Sequence, residues 1–175
     1  MDAAREQSAI AVIALGSNLG NPVANLRAAI MRLSALSSES VSVSSIWSST
    51  PVDCPPGSPM FVNAVVALDP LEGETPESLL VKLQAIEREF GRGPKVVLNE
   101  PRPLDLDLIA FGEEVRASAA LTLPHPRAHG RRFVLEPLCE IAPGFVLPGQ
   151  AKTAAMLLAE LPPGEVVLRL GPSDG

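Results

Sequence analysis

The segment with the clearest chemical potential is Pro101-Arg102-Pro103-Leu104-Asp105-Leu106-Asp107-Leu108. On a strand, Asp105 and Asp107 point to one face and stand about 6.6 Å apart along the chain, while the leucines point to the other face. Two carboxylates on one face repel each other unless positive charge lies between them. Mg²⁺ takes one or two carboxylates and completes its shell with water and substrate phosphates, and such a pair could hold two ions. A solvated polar face without a ligand is the alternative.

A second group of chemically capable residues begins at Thr122-Leu123-Pro124-His125-Pro126. The flanking prolines restrict the backbone around His125, whose ring could donate a hydrogen bond to a phosphate oxygen or supply a proton. Arg131 and Arg132 follow, and Phe133 opens an apolar run. These residues suggest a phosphate clamp beside an aromatic wall, and the alternatives are a half-buried structural histidine and an ordinary helix start.

Phe61-Val62-Asn63 places an aromatic ring and an amide on the same face of a strand. The amide could read the edge of a flat heterocycle while the ring packs against it. A core aromatic beside a satisfied asparagine is the alternative. The glycine-containing segment Gly16–Gly20 matches neither phosphate-loop pattern, and we interpret it as a strand-to-helix turn.

The charge distribution favours a small anionic ligand. The net charge of -6 argues against general nucleic-acid binding. Residues 88–132 nevertheless hold eight of the 14 cations and six of the 20 acids, so that this window carries +2 and the remainder -8. Arginine, the better bidentate phosphate ligand, outnumbers lysine 11 to 3.

The elements that must position these residues suit one globular domain over residues 1–175. No apolar run is long enough for a membrane span, the first residues lack signal-peptide features, and two cysteines make no disulfide framework. We therefore expect a cytoplasmic protein that binds no membrane.

Periodicity predicts the order β-α-β-β-α-β, with the strands at residues 9–15, 41–47, 61–68 and 104–111. Val41, Val43 and Trp47 are expected on the drier face of the second strand. This order predicts an α+β fold with a ferredoxin-like split βαβ core, a mostly antiparallel sheet and helices on one face. C-terminal elements extend it: helices at 133–141 and 153–161, and strands at 145–147 and 166–170.

Together the segments resemble the 6-hydroxymethyl-7,8-dihydropterin pyrophosphokinase family, from about Ile10 to Pro148. The motifs that carry the resemblance are Ala14–Gly20, Ser44–Trp47 with Thr50–Val52, Phe61–Val65, Ile86-Glu87 with Gly91-Arg92, Pro101–Leu108, and Leu123–Pro126 with Arg131 and Phe133–Leu138. The Pro-Arg-x-Leu-Asp-Leu-Asp segment is the most specific of them.

The resemblance implies a ferredoxin-like enzyme of folate biosynthesis that transfers pyrophosphate from ATP to the hydroxymethyl group of the pterin and releases AMP. It implies two Mg²⁺ ions on Asp105 and Asp107, and phosphate contacts from Arg92, Arg102, His125 and Arg131. It further implies nucleotide contacts from Gln84, Glu87, Leu108 and Thr122. The implied pterin site comprises Ser49, Thr50, Pro51, Val52, Phe61, Asn63, Asn99 and Phe133.

The sequence departs from the family pattern at several positions around these sites. Pro94 stands where many members carry a second arginine, Asn99 where some place a tryptophan against the pterin, and Phe61 where tyrosine is common. These departures concern substrate affinity and leave the paired carboxylates in place.

Two other functional classes fit the same residues. A different metal-dependent phosphotransferase or phosphohydrolase would form ADP or free phosphate, and a non-catalytic binding module on this fold would form no AMP. We expect a monomer that uses ATP and a reduced pterin and binds no nucleic acid.

Overall fold

The computed structural model describes residues 10–49, 61–91, 103–163 and 167–171. In these ranges the strands are β1 (Ala11–Ser17), β2 (Ser42–Val43), β3 (Ile46–Ser49), β4 (Phe61–Leu68), β5 (Asp105–Phe111), β6 (Arg116–Ala117), β7 (Thr122–Leu123) and β8 (Val167–Gly171). The helices are α1 (Pro22–Ser34), α2 (Pro76–Glu89), α3 (Arg132–Ile141) and α4 (Ala154–Glu160), and Ala128–Gly130 forms a 3₁₀ turn. None of these helices has the length and apolar character that a membrane crossing requires.

The main sheet has the strand order β5-β1-β4-β3-β8, and its pairings are antiparallel. The first four strands in this order, with α1 and α2 as their connections, form the ferredoxin-like unit. β2 pairs with β4 next to β3, and β8 adds the C-terminal edge. The predicted fold class and its C-terminal extension are confirmed.

One face of the sheet packs against α1 and α2. Ile13 and Leu15 from β1 and Leu106 from β5 meet helix residues such as Leu26 and Leu83 in one buried cluster. Each of the two helices starts at a side-chain cap followed by proline. Asn21 accepts the Ala24 N–H, and Thr75 exchanges hydrogen bonds with Ser78 in a capping box.

The other face packs against α3 and α4. Val12 and Val65 contribute to a second buried cluster with Val134, Leu135 and Leu138 of α3. The expectation of helices on one face therefore holds only for α1 and α2. The reason lies in the central strands, whose consecutive residues, such as Val12 and Ile13, are all apolar and need cover on both sides.

A β-bulge changes the predicted face of the second strand. Val43 pairs with Val66 and Trp47 with Asn63, so three residues (44–46) stand opposite two. The shift sends Ile46 into the α1/α2 core and Trp47 to the opposite face, so the expectation that Val43 and Trp47 share a face is wrong. The expected strand at 145–147 is also wrong, because Phe145 and Leu147 fill the second core without pairing.

Truncation of a buried α3 residue tests whether this extension belongs to the cooperative core. Leu135 is 0% exposed, and we expect Leu135→Ala to lower the free energy of unfolding by about 2–5 kcal/mol, because it leaves a cavity. Urea unfolding followed by circular dichroism measures the change. Met31→Ala is the control, since Met31 is 75% exposed and its truncation should change stability by less than about 0.5 kcal/mol. If the two variants lose the same free energy of unfolding, α3 does not belong to the cooperative core.

Candidate active site

The sheet register brings the predicted metal-binding and heterocycle-binding residues onto one face. Gly16 of β1 pairs with Asp105 on one side and with Asn63 on the other, and Asn63 pairs with Trp47. Residues that pair across neighbouring strands share a face, so these four residues form one row, which we call the site row. Asp105 and Asn63 are two strand spacings apart, roughly 10 Å between backbones.

The two carboxylates start β5, and contacts from β1 and α1 hold the beginning of that strand. The buried Ser17 hydroxyl donates to the Pro103 carbonyl at 2.6 Å, and the Asn25 amide donates to the same oxygen at 3.1 Å. Gly16 and Ser17 are the last residues of β1, so the strand-to-helix turn predicted at Gly16–Gly20 begins only at Asn18. Sequence reasoning missed Asn25, because a contact between residues 78 positions apart leaves no local pattern.

The donor set at the start of β5 suits Mg²⁺. Asp105 and Asp107 are both half-buried and point to the same face. In the described ranges, no group of three or more histidine, cysteine and acidic side chains could hold a metal by itself. A pair of carboxylates with room for water and phosphate oxygens is nevertheless the usual protein contribution to a Mg²⁺ site, so the residues fit the ion.

The His125 ring is oriented by two backbone contacts. Its backbone N–H donates to the Ile109 carbonyl at 2.8 Å, which fixes it beside β5. Its Nδ1 accepts the Arg127 backbone N–H at 3.2 Å, so the proton of the neutral ring lies on Nε2. Burial lowers the pKa of His125 most, Arg131 and Arg127 lower it further, and Asp105 opposes them.

The start of α3 supplies a cation and an aromatic ring. The Arg131 guanidinium carbon lies 5.3 Å from the centroid of the Phe133 ring, within the range of a cation–π contact. Arg131 also acts electrostatically on His125, which in turn feels Asp105. The structure thus brings Asp105, His125, Arg131 and Phe133 into one neighbourhood on the α3 side of the sheet.

Ser49 orients the Asn63 amide. Both residues are buried, and the Ser49 hydroxyl donates to Asn63 Oδ1 at 2.6 Å. The carbonyl end of the amide is therefore engaged, and the NH₂ group lies on the Gly16 side. A methyl group built on Gly16 would stand 3.4 Å from Asn63 Nδ2 and 3.7 Å from Phe61 Cδ1. The absence of a side chain at Gly16 keeps the space beside this amide open.

Comparison with known proteins identifies the family. Residues 12–143 match the family model described as 7,8-dihydro-6-hydroxymethylpterin-pyrophosphokinase (HPPK). The chain belongs to this family. Its activity is accordingly that of a pyrophosphokinase of folate biosynthesis.

Two curated relatives named 2-amino-4-hydroxy-6-hydroxymethyldihydropteridine pyrophosphokinase support the assignment. The protein from Synechocystis is 40% identical over 153 residues, which cover 86% of this chain and 75% of the relative. The protein from Haemophilus influenzae is 44% identical over 139 residues, which cover 79% of this chain and 84% of the relative.

A solved structure supports the fold. Wild-type Plasmodium falciparum HPPK-DHPS superposes with a TM-score of 0.66 at 14% identity. The match covers 86% of this chain and 44% of the solved one, so this chain spans less than half of that larger protein.

Four residues near β5 are predicted to hold the nucleotide, and they differ in how far their side chains are exposed. Glu87 is buried, and its carboxylate accepts the Leu106 backbone N–H at 2.7 Å, which satisfies the strand edge. Leu108 is 4% exposed in the α1/α2 core, so only its backbone could reach a ligand. Gln84 and Thr122 are exposed. For these four residues of this HPPK member, nucleotide contact stays a prediction.

Six predicted site residues lie outside the described ranges: Thr50, Pro51, Val52, Arg92, Asn99 and Arg102. Their predicted phosphate and pterin contacts stay predictions.

The structure also adds a site neighbour that sequence reasoning missed. Glu140, near the end of α3, accepts hydrogen bonds from Ser45 and Trp47 of the sheet on which α3 packs. A lone acid in a helix carries no local signal for a partner 95 residues away.

The pKa of His125 provides a test of this local geometry. We expect an NMR titration of the metal-free protein to give a midpoint below 6.5, because burial and the neighbouring arginines disfavour the charged ring. Arg131→Ala should raise the midpoint, since it removes a positive charge. The exposed His129 serves as the internal control. A His125 midpoint above 6.5 would contradict the placement of the two arginines.

Proposed function

We propose that this HPPK member transfers the β,γ-pyrophosphoryl group of ATP to the hydroxymethyl oxygen of 6-hydroxymethyl-7,8-dihydropterin, with two Mg²⁺ ions on Asp105 and Asp107. A bond forms between that oxygen and the β-phosphorus, and the bond from the β-phosphorus to the oxygen shared with the α-phosphate breaks. AMP leaves with that oxygen. The hydroxymethyl proton passes to solvent.

One observation carries the proposal: the site row places Asp105 and Asn63 on one face with only Gly16 between them. A flat heterocycle read by Asn63 would direct a one-carbon substituent along the row toward Asp105. The two backbones are roughly 10 Å apart, so substrates held at the two ends of the row would lie next to each other above the same face of the sheet. The two substrates can therefore meet without movement of the sheet.

The chemistry depends on positioning and charge rather than on a protein nucleophile. Pyrophosphoryl transfer needs the acceptor oxygen in line with the β-phosphorus and needs the phosphate charge neutralised. The bound ions would supply most of that neutralisation. Arg131 adds a cation, and His125 Nε2–H donates a hydrogen bond to a phosphate oxygen.

The pterin would be held at the Asn63 end of the site row, away from β5. Asn63 offers NH₂ donors whose direction Ser49 sets. Phe61 lies on the same strand face, and Phe133 borders the site from α3. Phe133 would stack on the ring face, while Asn63 reads its polar edge.

The first experiment is an assay for AMP formed from ATP and Mg²⁺, with and without the pterin. Pterin-dependent AMP supports the proposal. Formation of ADP or free phosphate would instead indicate a different phosphotransferase or phosphohydrolase, and ATP binding without AMP would indicate a non-catalytic module. Size-exclusion chromatography of the same sample tests the expected monomer.

Removal of one carboxylate tests the metal site. We expect Asp107→Ala to lower turnover at least ~10²-fold, because loss of charge stabilisation at the transferring group typically costs a few kcal/mol. The same AMP assay measures it. Glu72→Gln is the control, because Glu72 is an exposed acid in the turn before α2. Turnover within threefold of the parent in Asp107→Ala would exclude the metal role.

Addition of one methyl group tests the acceptor space. Gly16→Ala brings a carbon to contact distance of Asn63 Nδ2 and Phe61 without a backbone clash below 3.4 Å, so the protein should fold. We expect the KM for the pterin to rise about tenfold or more, or ~1.4 kcal/mol of lost binding, with little change in the KM for ATP. Gly144→Ala is matched, since nothing lies within 4 Å of its added carbon. An unchanged pterin KM would place the acceptor elsewhere.

A further inference from the structure

The Glu140 carboxylate of α3 makes hydrogen bonds to the residues around the start of β3. It accepts the Ser45 backbone N–H at 2.8 Å, the Ser45 hydroxyl, and the Trp47 indole N–H at 3.1 Å. Arg169 of β8 lies at 3.9 Å. The acceptor is on α3 and the hydrogen-bond donors lie at the start of β3. These contacts form what we call the Glu140 clasp.

The clasp supplies a hydrogen-bond acceptor for a backbone N–H group at the β-bulge. The Ser44 N–H donates to the Val65 carbonyl of β4 at 3.0 Å, and the Ser44 hydroxyl oxygen accepts the Val65 N–H at 2.9 Å. Ser45 is the next residue of the bulge, and its N–H has no place in the ladder with β4. An unpaired backbone donor needs an acceptor, and Glu140 supplies it. The bulge and the carboxylate are therefore one structural unit.

Both joined elements carry site residues at their far ends. Phe133 lies seven residues before Glu140, which places it on the same face of α3 about 10.5 Å away. Ser49, which orients Asn63, lies four residues after Ser45 on β3. The clasp thus spans the two walls between which the pterin would bind, the Phe133 wall and the Asn63 wall.

Helix α3 depends on external anchors more than an uninterrupted helix does. Pro137 lies inside it, lacks an N–H and cannot donate to the Phe133 carbonyl. At its first residue the Arg132 side chain donates to the Leu161 and Pro162 carbonyls, beyond α4. Of these two anchors, only Glu140 reaches the main sheet.

We propose that Glu140 is a positioning residue for pterin binding, because it sets the spacing between Phe133 on α3 and Asn63 on the sheet. The proposal rests on the proposed function, and Glu140 itself need not touch either substrate. Three hydrogen bonds and the nearby Arg169 favour the ionised form of the Glu140 carboxylate. Burial raises the pKa of Glu140, but the Ser45 and Trp47 hydrogen bonds and Arg169 together hold it below its usual value.

The test compares Glu140→Ala and Glu140→Gln in the AMP assay, with separate KM values for pterin and ATP. We expect Glu140→Ala to raise the pterin KM about fivefold or more (~1 kcal/mol) and the ATP KM less than twofold, because the phosphate groups bind at β5. Glu140→Gln should recover part of the loss, since its amide oxygen still accepts a hydrogen bond. A blue or red shift of the emission of Trp47, the sole tryptophan, should accompany the alanine variant only.

Glu136→Ala is the matched control. Glu136 lies on the same helix, and its carboxylate pairs with Arg132 one turn away at 3.6 Å, a contact within α3 that does not involve β3. Its KM values should stay within twofold of the parent. If Glu140→Ala does not fold, Ser45→Ala, which removes one donor, replaces it with the same expected direction.

Each outcome decides the proposal. Equal rises of both KM values in Glu140→Ala, or no rise in a folded variant, would overturn the positioning role and leave the clasp as a contribution to stability alone. A parent enzyme that forms no AMP with the pterin would instead overturn the proposed function. The two failures are therefore distinguishable.

Discussion

The antiparallel register of β1 with its two neighbours is the constraint on which the site depends. It pairs Gly16 with both Asp105 and Asn63, so that an acidic residue and an amide from distant parts of the chain share one face. A slip of one residue would turn both aspartates toward the α1/α2 core and bring leucines to the site face. The alternation of leucine and aspartate in β5 specifies which face each residue takes, because only one orientation of the strand keeps charge out of the core.

Cover on both faces of the sheet follows from the central strands and creates the cleft. β1 and β4 are apolar on both sides, so a ferredoxin-like unit with helices on one face would leave Val12 and Val65 exposed. The C-terminal α3 and α4 cover them. Because α3 begins at Arg132, its first turn brings Phe133 and the neighbouring Arg131 beside the end of the sheet where Asp105 and Asn63 lie. A helix required for burial thus also supplies a wall of the site.

The electrostatics of the site arise from local placement within an acidic chain. The net charge is -6, yet His125 lies in a locally positive setting: burial lowers its pKa most, and Arg131 and Arg127 lower it further. In the proposed reaction, a hydrogen-bond donor beside a guanidinium would suit a phosphate group. Ser17 and Asn25, by contrast, serve the site only through the Pro103 carbonyl that precedes the aspartates.

The sequence alone determined the β-α-β-β-α-β order of the first unit, the fold class, the family and the paired carboxylates, because these depend on local periodicity and on short motifs. It could not reveal the bulge at residues 44–46, which reverses Trp47 relative to Val43, since an inserted residue is visible only against its partner strand. Nor could it pair Asn25 with Pro103, Glu140 with Ser45, or Glu87 with the Leu106 N–H. Those contacts join residues that are far apart in the chain, and only tertiary packing decides which distant donors and acceptors meet.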